Sequence, residues 1–103
     1  MDNQLSEFEK NLLEELRNLK RLSDISEVTF VSLLFSLLAE DVGSIRTKKI
    51  THGNLYLLDF WVGEINKGRV IGKKGHILKA IWSLSKSFFR ARQKDVVISV
   101  KDD

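Results

Sequence analysis

Cysteine and proline are absent from this 103-residue sequence, and methionine and tyrosine occur once each. Without cysteine there is no disulfide framework and no thiolate metal site. Without proline there is no polyproline linker. Histidine occurs twice, at His52 and His76, with no third ligand at metal spacing, so a metal site is rejected. Long apolar runs are also missing. The most apolar stretch, Val28–Leu38, is broken by serines and a threonine, whereas a membrane span needs roughly 20 apolar residues. It reads as a buried helix. The opening MDNQLSEFEK has neither the basic nor the apolar region of a signal peptide. The expectation is a soluble, cytoplasmic protein.

What is present suits one globular domain: 43% of residues are hydrophobic and 30% charged. A two-domain enzyme or a TIM barrel would need a longer chain. The net charge is only +3, but it is unevenly placed. Residues 1–43 hold four basic and nine acidic side chains, a balance of −5, while residues 44–103 hold thirteen and five, a balance of +8. Such a step suits a basic half that attracts a polyanion, although a solvated lysine-rich surface gives the same count.

Hydrophobic spacing sets the elements. Leu5, Phe8, Leu12, Leu16, Leu19 and Leu22 recur at steps of three and four, which predicts a helix over 3–22. Ser23-Asp24-Ile25-Ser26 supplies N-cap oxygens for a second helix over 27–41, ended by Gly43. Its wide stripe, from Val28 to Leu38, implies contact on more than one side. Strands are expected over 44–51 and 55–62, joined by His52-Gly53-Asn54. Tyr56, Leu58, Phe60 and Val62 share one face of the second strand, and Leu55, Leu57, Asp59 and Trp61 the other. Three large apolar groups on that second face ask for a cover, either the first helix or a second subunit. A short helix follows over 64–71, a long one over 76–93 with Ile77, Ile81, Leu84 and Phe88 as its apolar stripe, and a strand over 95–101. A right-handed crossover from the second strand to the last places those two side by side and parallel. The fold class is α+β: a three-stranded mixed sheet with helices on one face.

The run Gly68-Arg69-Val70-Ile71-Gly72-Lys73-Lys74-Gly75-His76 carries the chemistry. Two glycines bracket two lysines just before a long helix. The first N–H groups of a helix have no internal partner, and with the helix dipole they favour an anion. Lys73 and Lys74 add mobile positive charge, so the loop reads as a clamp for a phosphodiester backbone. It is not a Walker A loop, which needs four residues between its glycines and then Gly-Lys-Ser/Thr, and the dinucleotide pattern G-x-G-x-x-G also fails.

Val70-Ile71-Gly72-Lys73-Lys74-Gly75, followed by Ile77 and Lys79-Ala80-Ile81, resembles the signature of KH domains, nucleic-acid-binding modules with a GXXG loop. The resemblance covers about residues 27–103 in the type II order α-β-β-α-α-β and is nearest to small single-KH RNA-binding proteins of bacteria, of the KhpA/YlqC type. It implies a domain over 24–103 with an accessory helix over 1–23. It also implies that Gly72, Lys73, Lys74 and Gly75 contact the backbone of about four single-stranded nucleotides. Val70 and Ile71 would then flank a groove that accepts bases. Members are cytoplasmic and often form homodimers or pair with a second KH protein. Trp82, Phe88 and Phe89 depart from the family pattern.

Arg69, His76 and Lys79 complete the candidate RNA-binding set, with Lys67 beside them. Each has the plainer reading of a solvated side chain. Arg46, Lys48 and Lys49 either extend a basic track or blunt a sheet edge. Trp82, Trp61 and Phe89 either stack bases or pack. No nucleophile–base–orienter set exists, so no enzyme activity and no cofactor are implied. The loop reads phosphates rather than the 2′-hydroxyl, so single-stranded DNA stays beside RNA as a ligand. The alternative function is a KH-fold protein–protein interaction module, motivated by the surplus of large apolar residues.

Overall fold

The computed structural model describes residues 4–102. The predicted helix start at Asn3, the side chain of Leu22 and the final Asp103 lie outside the described residues. Helix α1 spans Glu7–Arg17. A capping box starts it: the Glu9 N–H donates to Ser6 Oγ at 3.1 Å and the Ser6 N–H donates to Glu9 Oε1 at 2.9 Å. The apolar spacing predicted a helix to Leu22, yet α1 stops at Arg17. The carbonyls of Ser23 and Ile25 accept hydrogen bonds from Arg92, at 2.8 and 2.6 Å. The turn this holds brings Ile25 into a buried position.

Helix α2 spans Glu27–Leu38, with Ser26 as its N-cap accepting from the Thr29 N–H. It ends three residues before the predicted Asp41, and Gly43 lies beyond it in a short 3₁₀ turn. The cause is the fully buried Asn66. Its Oδ1 accepts from the Glu40 and Asp41 N–H groups at 2.8 and 2.9 Å. Its Nδ2 donates to the carbonyls of Asp41 and Val62 at 2.7 and 2.8 Å. Both backbone donors past the helix are thereby satisfied by a side chain, and the chain leaves the helix without an orphan group.

Strands β1 (Arg46–His52) and β2 (Leu55–Trp61) form an antiparallel hairpin, from Arg46 opposite Trp61 to His52 opposite Leu55. Helices α3 (Glu64–Ile71) and α4 (His76–Arg90) carry the chain back to strand β3 (Asp95–Lys101). Strand β3 pairs with β2 in parallel, Leu55 opposite Asp95 and Trp61 opposite Lys101, and the sheet order is β1-β2-β3. The expected mixed sheet is therefore present. Its inner face supplies Leu58, Phe60, Val96 and Ile98 to a core completed by Val31, Phe35, Val70, Ile81 and Phe89. Phe35 stacks on Phe60 at 4.3 Å, and Tyr56 meets Phe89 edge-on at 5.3 Å.

Two expectations about packing are corrected. Helix α4 ends at Arg90 rather than Gln93, and its most buried positions are Ile81, Ser85 and Phe89. Leu84, expected on the apolar stripe, is 56% exposed. The small Ser85 between two large groups lets the helix sit close to the sheet, which rotates Leu84 outward. Helix α1 does not cover the outer sheet face. Phe8 joins the inner core and Glu15 accepts from Thr29 Oγ1 at 3.3 Å, so α1 packs beside α2. Ile50 and Val97 stay open on the other side of the sheet. Among the described residues no helix is long and apolar enough to cross a membrane, and no cluster of metal-ligating side chains occurs.

Candidate nucleic-acid interface

The loop between α3 and α4 is built from backbone geometry. The Gly72 N–H donates to the Gly68 carbonyl at 3.0 Å and closes α3. The chain then makes a single turn, Lys73–Gly75, in which the Gly75 N–H donates to the Gly72 carbonyl at 3.1 Å. Helix α4 begins at His76 with no side chain capping it. Its N-terminal dipole therefore faces the loop.

The two glycines serve different ends. At Gly72 φ is +75°, and a Cβ there would stand 2.6 Å from Ile77 Cγ1 and 2.9 Å from Ile77 Cβ. This glycine lets the loop lie directly on the first turn of α4. At Gly75 φ is +74° and a Cβ would meet nothing within 4 Å, so only the left-handed conformation is required. Lys74 also adopts a left-handed conformation, φ 55°. A non-glycine residue there is uncommon and costs of order 1 kcal/mol or more. The sequence pattern gave no sign of it.

The predicted site residues divide into groups. Lys73, Lys74, His76 and Lys79 are all exposed at the loop and the first turn of α4. None of the three lysines has an acidic partner among the described residues. Arg69 is exposed nearby, with its Nε 3.6 Å from Glu40 Oε1. Ile71 is half-buried and packs against the core, as Ile77 does. Val70 is corrected: its side chain is wholly inside the core, where it supports α3 and cannot touch a ligand. Lys67 is tied to the end of β3 by a hydrogen bond to Asp102, with Glu64 3.5 Å away. The Asp102 bond holds the Lys67 ammonium above its usual range and the Asp102 carboxyl below its own.

Three functional or architectural side chains escaped the sequence reading. Asn66 and Arg92 act through bonds to backbone far away in the chain. Arg92 also donates to Glu27 Oε2 at 2.7 Å and lies 4.1 Å from the Phe88 ring centroid. Lys94 adds a bond to Glu27 Oε1 at 3.1 Å. Burial pushes the Glu27 carboxyl up, but the bonds from Arg92 and Lys94 and the Lys94 charge outweigh it and hold it below the usual range. The third is Lys86, whose ammonium lies 5.3 Å from the Trp82 ring centroid. Its signal was present as the spacing Lys79, Trp82, Lys86 on one helix.

No family model matches the chain, and no curated protein matches it. Among solved structures, a crystal structure of a variant of Aquifex aeolicus Era bound to GDP and aluminium fluoride is similar to it. The TM-score is 0.52 at 20% identity, over 74% of this chain and 29% of that one. The chain thus spans less than a third of that protein's length, and the likeness is one of fold. With the element order and sheet pairing above, the chain has the α+β, type II KH fold, with an extra N-terminal helix.

Proposed function

We propose that this chain is a binding module that holds single-stranded RNA by its phosphodiester backbone at Gly72–Gly75. The observation that carries the reading is the pairing of two exposed lysines, without an acidic partner among the described residues, with a helix start that no side chain caps. Backbone N–H groups and the dipole of α4 favour an anion at that point, and Lys73 and Lys74 supply charge from the loop. Lys79, one turn along α4, and Arg69, at the end of α3, extend the basic surface. His76 stands between them. In this reading the chain is cytoplasmic, uses no cofactor, catalyses no reaction and gains affinity by dimerising or by pairing with a second KH protein.

The test is fluorescence anisotropy of a labelled single-stranded RNA pool across a salt series, for the unsubstituted chain and for Lys73→Asp with Lys74→Asp. Each phosphate contact on a single strand contributes a slope of about −0.7 in log K against log salt. Losing two contacts therefore flattens the slope by about 1.4. Unchanged affinity and slope in the variant would place the site elsewhere.

A second reading is favoured by a specific feature. A cleft of about 360 Å³ between α2 and α4 is lined by Leu34, Leu37, Ile77 and Leu84, and Leu37 is 78% exposed. An apolar surface of this kind suits a protein partner or a second copy. Solution mass as a function of concentration tests it: a monomer throughout, with no binding of an apolar dye, removes the motive.

A further inference from the structure

We propose that Trp82 is a stacking platform for one base of the strand held at Gly72–Gly75, flanked by Lys79 and Lys86 as phosphate contacts. This rests on the reading of the loop as a single-strand site and names how that site continues along α4.

Of the aromatic candidates the sequence offers, the structure separates one from the rest. Phe89 is fully buried against Tyr56. Phe88 is stacked on Phe30 at 4.1 Å, with the rings 1° from parallel. Trp61 stands in β2, with the Arg46 guanidinium 5.3 Å from its ring centroid, and its strand position points it away from the inner core. Trp82 is on the helix that begins at the loop and, unlike Phe88 and Phe89 on the same helix, it is exposed, at 40%.

Its neighbours are arranged as a strand would need them. Lys79, Trp82 and Lys86 fall at i, i+3 and i+7, which is one flank of a helix. The buried positions of the same helix, Ile81, Ser85 and Phe89, lie on the adjoining face. Lys86 reaches to 3.8 Å from Asp95 Oδ1 at the start of β3, so this flank runs beside the sheet edge formed by β3. Seven residues separate Gly75 from Trp82, roughly 10 Å at 1.5 Å per residue. A strand of about four nucleotides anchored at the loop covers that span. An indole presents a π-face that any base can stack on, and a cation beside it can neutralise the neighbouring phosphate.

The experiment uses the full chain carrying Trp61→Phe, so that Trp82 is the sole tryptophan. Its fluorescence is followed during titration with single-stranded RNA and, separately, single-stranded DNA of the same sequence. The proposal expects saturable quenching with the midpoint found by anisotropy. It also expects Trp82→Ala to weaken binding roughly five- to hundredfold at fixed salt with the salt slope kept, and Trp82→Tyr to restore most of it. Trp82→Leu keeps the apolar packing and removes the ring, so it must weaken binding as Trp82→Ala does even if the latter folds poorly. Binding that needs Lys73 and Lys74 but shows no quenching and no loss in Trp82→Leu overturns the stacking role and leaves the loop reading intact. A self-association broken by Trp82→Ala, with no quenching by either strand, overturns it in favour of a protein contact. No binding of either strand by the unsubstituted chain at low salt overturns both readings together.

Discussion

Replacing Gly72 with alanine tests whether the loop's shape depends on its contact with Ile77. The added methyl would stand 2.6 Å from Ile77 Cγ1 and 2.9 Å from Ile77 Cβ. Ile77 Cβ is fixed to the first turn of α4 and cannot swing aside, so the helix start itself must shift. Forcing a methyl into packed surroundings costs roughly 1–3 kcal/mol. An alanine at φ +75° and ψ 176°, a region open essentially to glycine, costs on the order of 1 kcal/mol or more besides. The sum is about 3 kcal/mol, which lowers the melting temperature of a domain this size by roughly 12–24 °C. Gly75→Ala is the internal control. It also has a positive φ, +74° against +75°, though in the left-handed helical region with ψ 15° against 176°, and its Cβ meets nothing within 4 Å. Only the conformational cost, about 1–2 kcal/mol, applies there. Thermal and urea unfolding followed by circular dichroism measure both. The cycle with Ile77→Ala adds a second check: the paired variant should be more stable than the two single losses added together, because the contacts with Cγ1 at 2.6 Å and Cδ1 at 3.0 Å are gone and only the Cβ contact stays. Equal losses at Gly72 and Gly75, or strict additivity with Ile77→Ala, would show that the close contact is not what Gly72 serves.

Arg92→Ala removes the bonds to Ser23, Ile25 and Glu27 at once and leaves a half-buried carboxylate with Lys94 as its remaining partner, so a loss of about 2–3 kcal/mol is expected in urea unfolding; a loss below about 0.5 kcal/mol, the level of an ordinary surface change, would contradict the account. The same pair makes stability pH-dependent with a definite sign. Glu27 is held below its usual range, so its contribution is complete above about pH 4.3 and disappears as pH falls through the lowered value. The gap between the unsubstituted chain and Arg92→Ala should therefore narrow in acid, and a gap unchanged down to about pH 2 would be inconsistent with it. Ser85 is fully buried and its hydroxyl has no hydrogen-bond partner among the described residues. Ser85→Ala should raise stability by about 1 kcal/mol, since it removes an unsatisfied polar atom and improves helix propensity; a loss on thermal unfolding would mean that the hydroxyl is satisfied in solution.

Which parts of the fold the sequence revealed follows from the range of the forces that set them. Helix α3 and strand β3 were read at their observed limits because glycines bound the one and a period of two marks the other. The parallel crossover followed from handedness alone. The ends of α1 and α2 were misread because distant side chains decide them. Arg92 is 67 residues from Ile25 and 69 from Ser23. Asn66 is 26 residues from Glu40. No local pattern encodes such partners, and the apolar spacing beyond Arg17 argued for continuation. In the site, the spacing of Gly72 and Gly75 and the lysines between them was legible as a loop just before a long helix. The left-handed Lys74 was not, because lysine carries no preference for that conformation. Val70 was assigned to the groove by its place in a motif, and the structure sends its side chain the other way because α3 must bury one face.

The loop separates the work of holding its shape from the work of meeting a ligand. Gly72 rests on Ile77, and Val70 anchors α3 in the core with its side chain wholly buried. Lys73 and Lys74 are exposed and have no acidic partner among the described residues. Lys74 sits in a backbone conformation that costs energy, and its side chain makes no ion pair among the described residues in return. Evolution could relieve that cost with a glycine at the same position, at the expense of a positive charge beside the helix start. A strained residue persists where surroundings over-determine it or where its side chain is needed, and here the turn between two left-handed glycines does the first while the exposed ammonium supplies a reason for the second. The placement of charge, rather than the glycine pattern alone, is thus the physical argument for an anionic ligand at this end of α4.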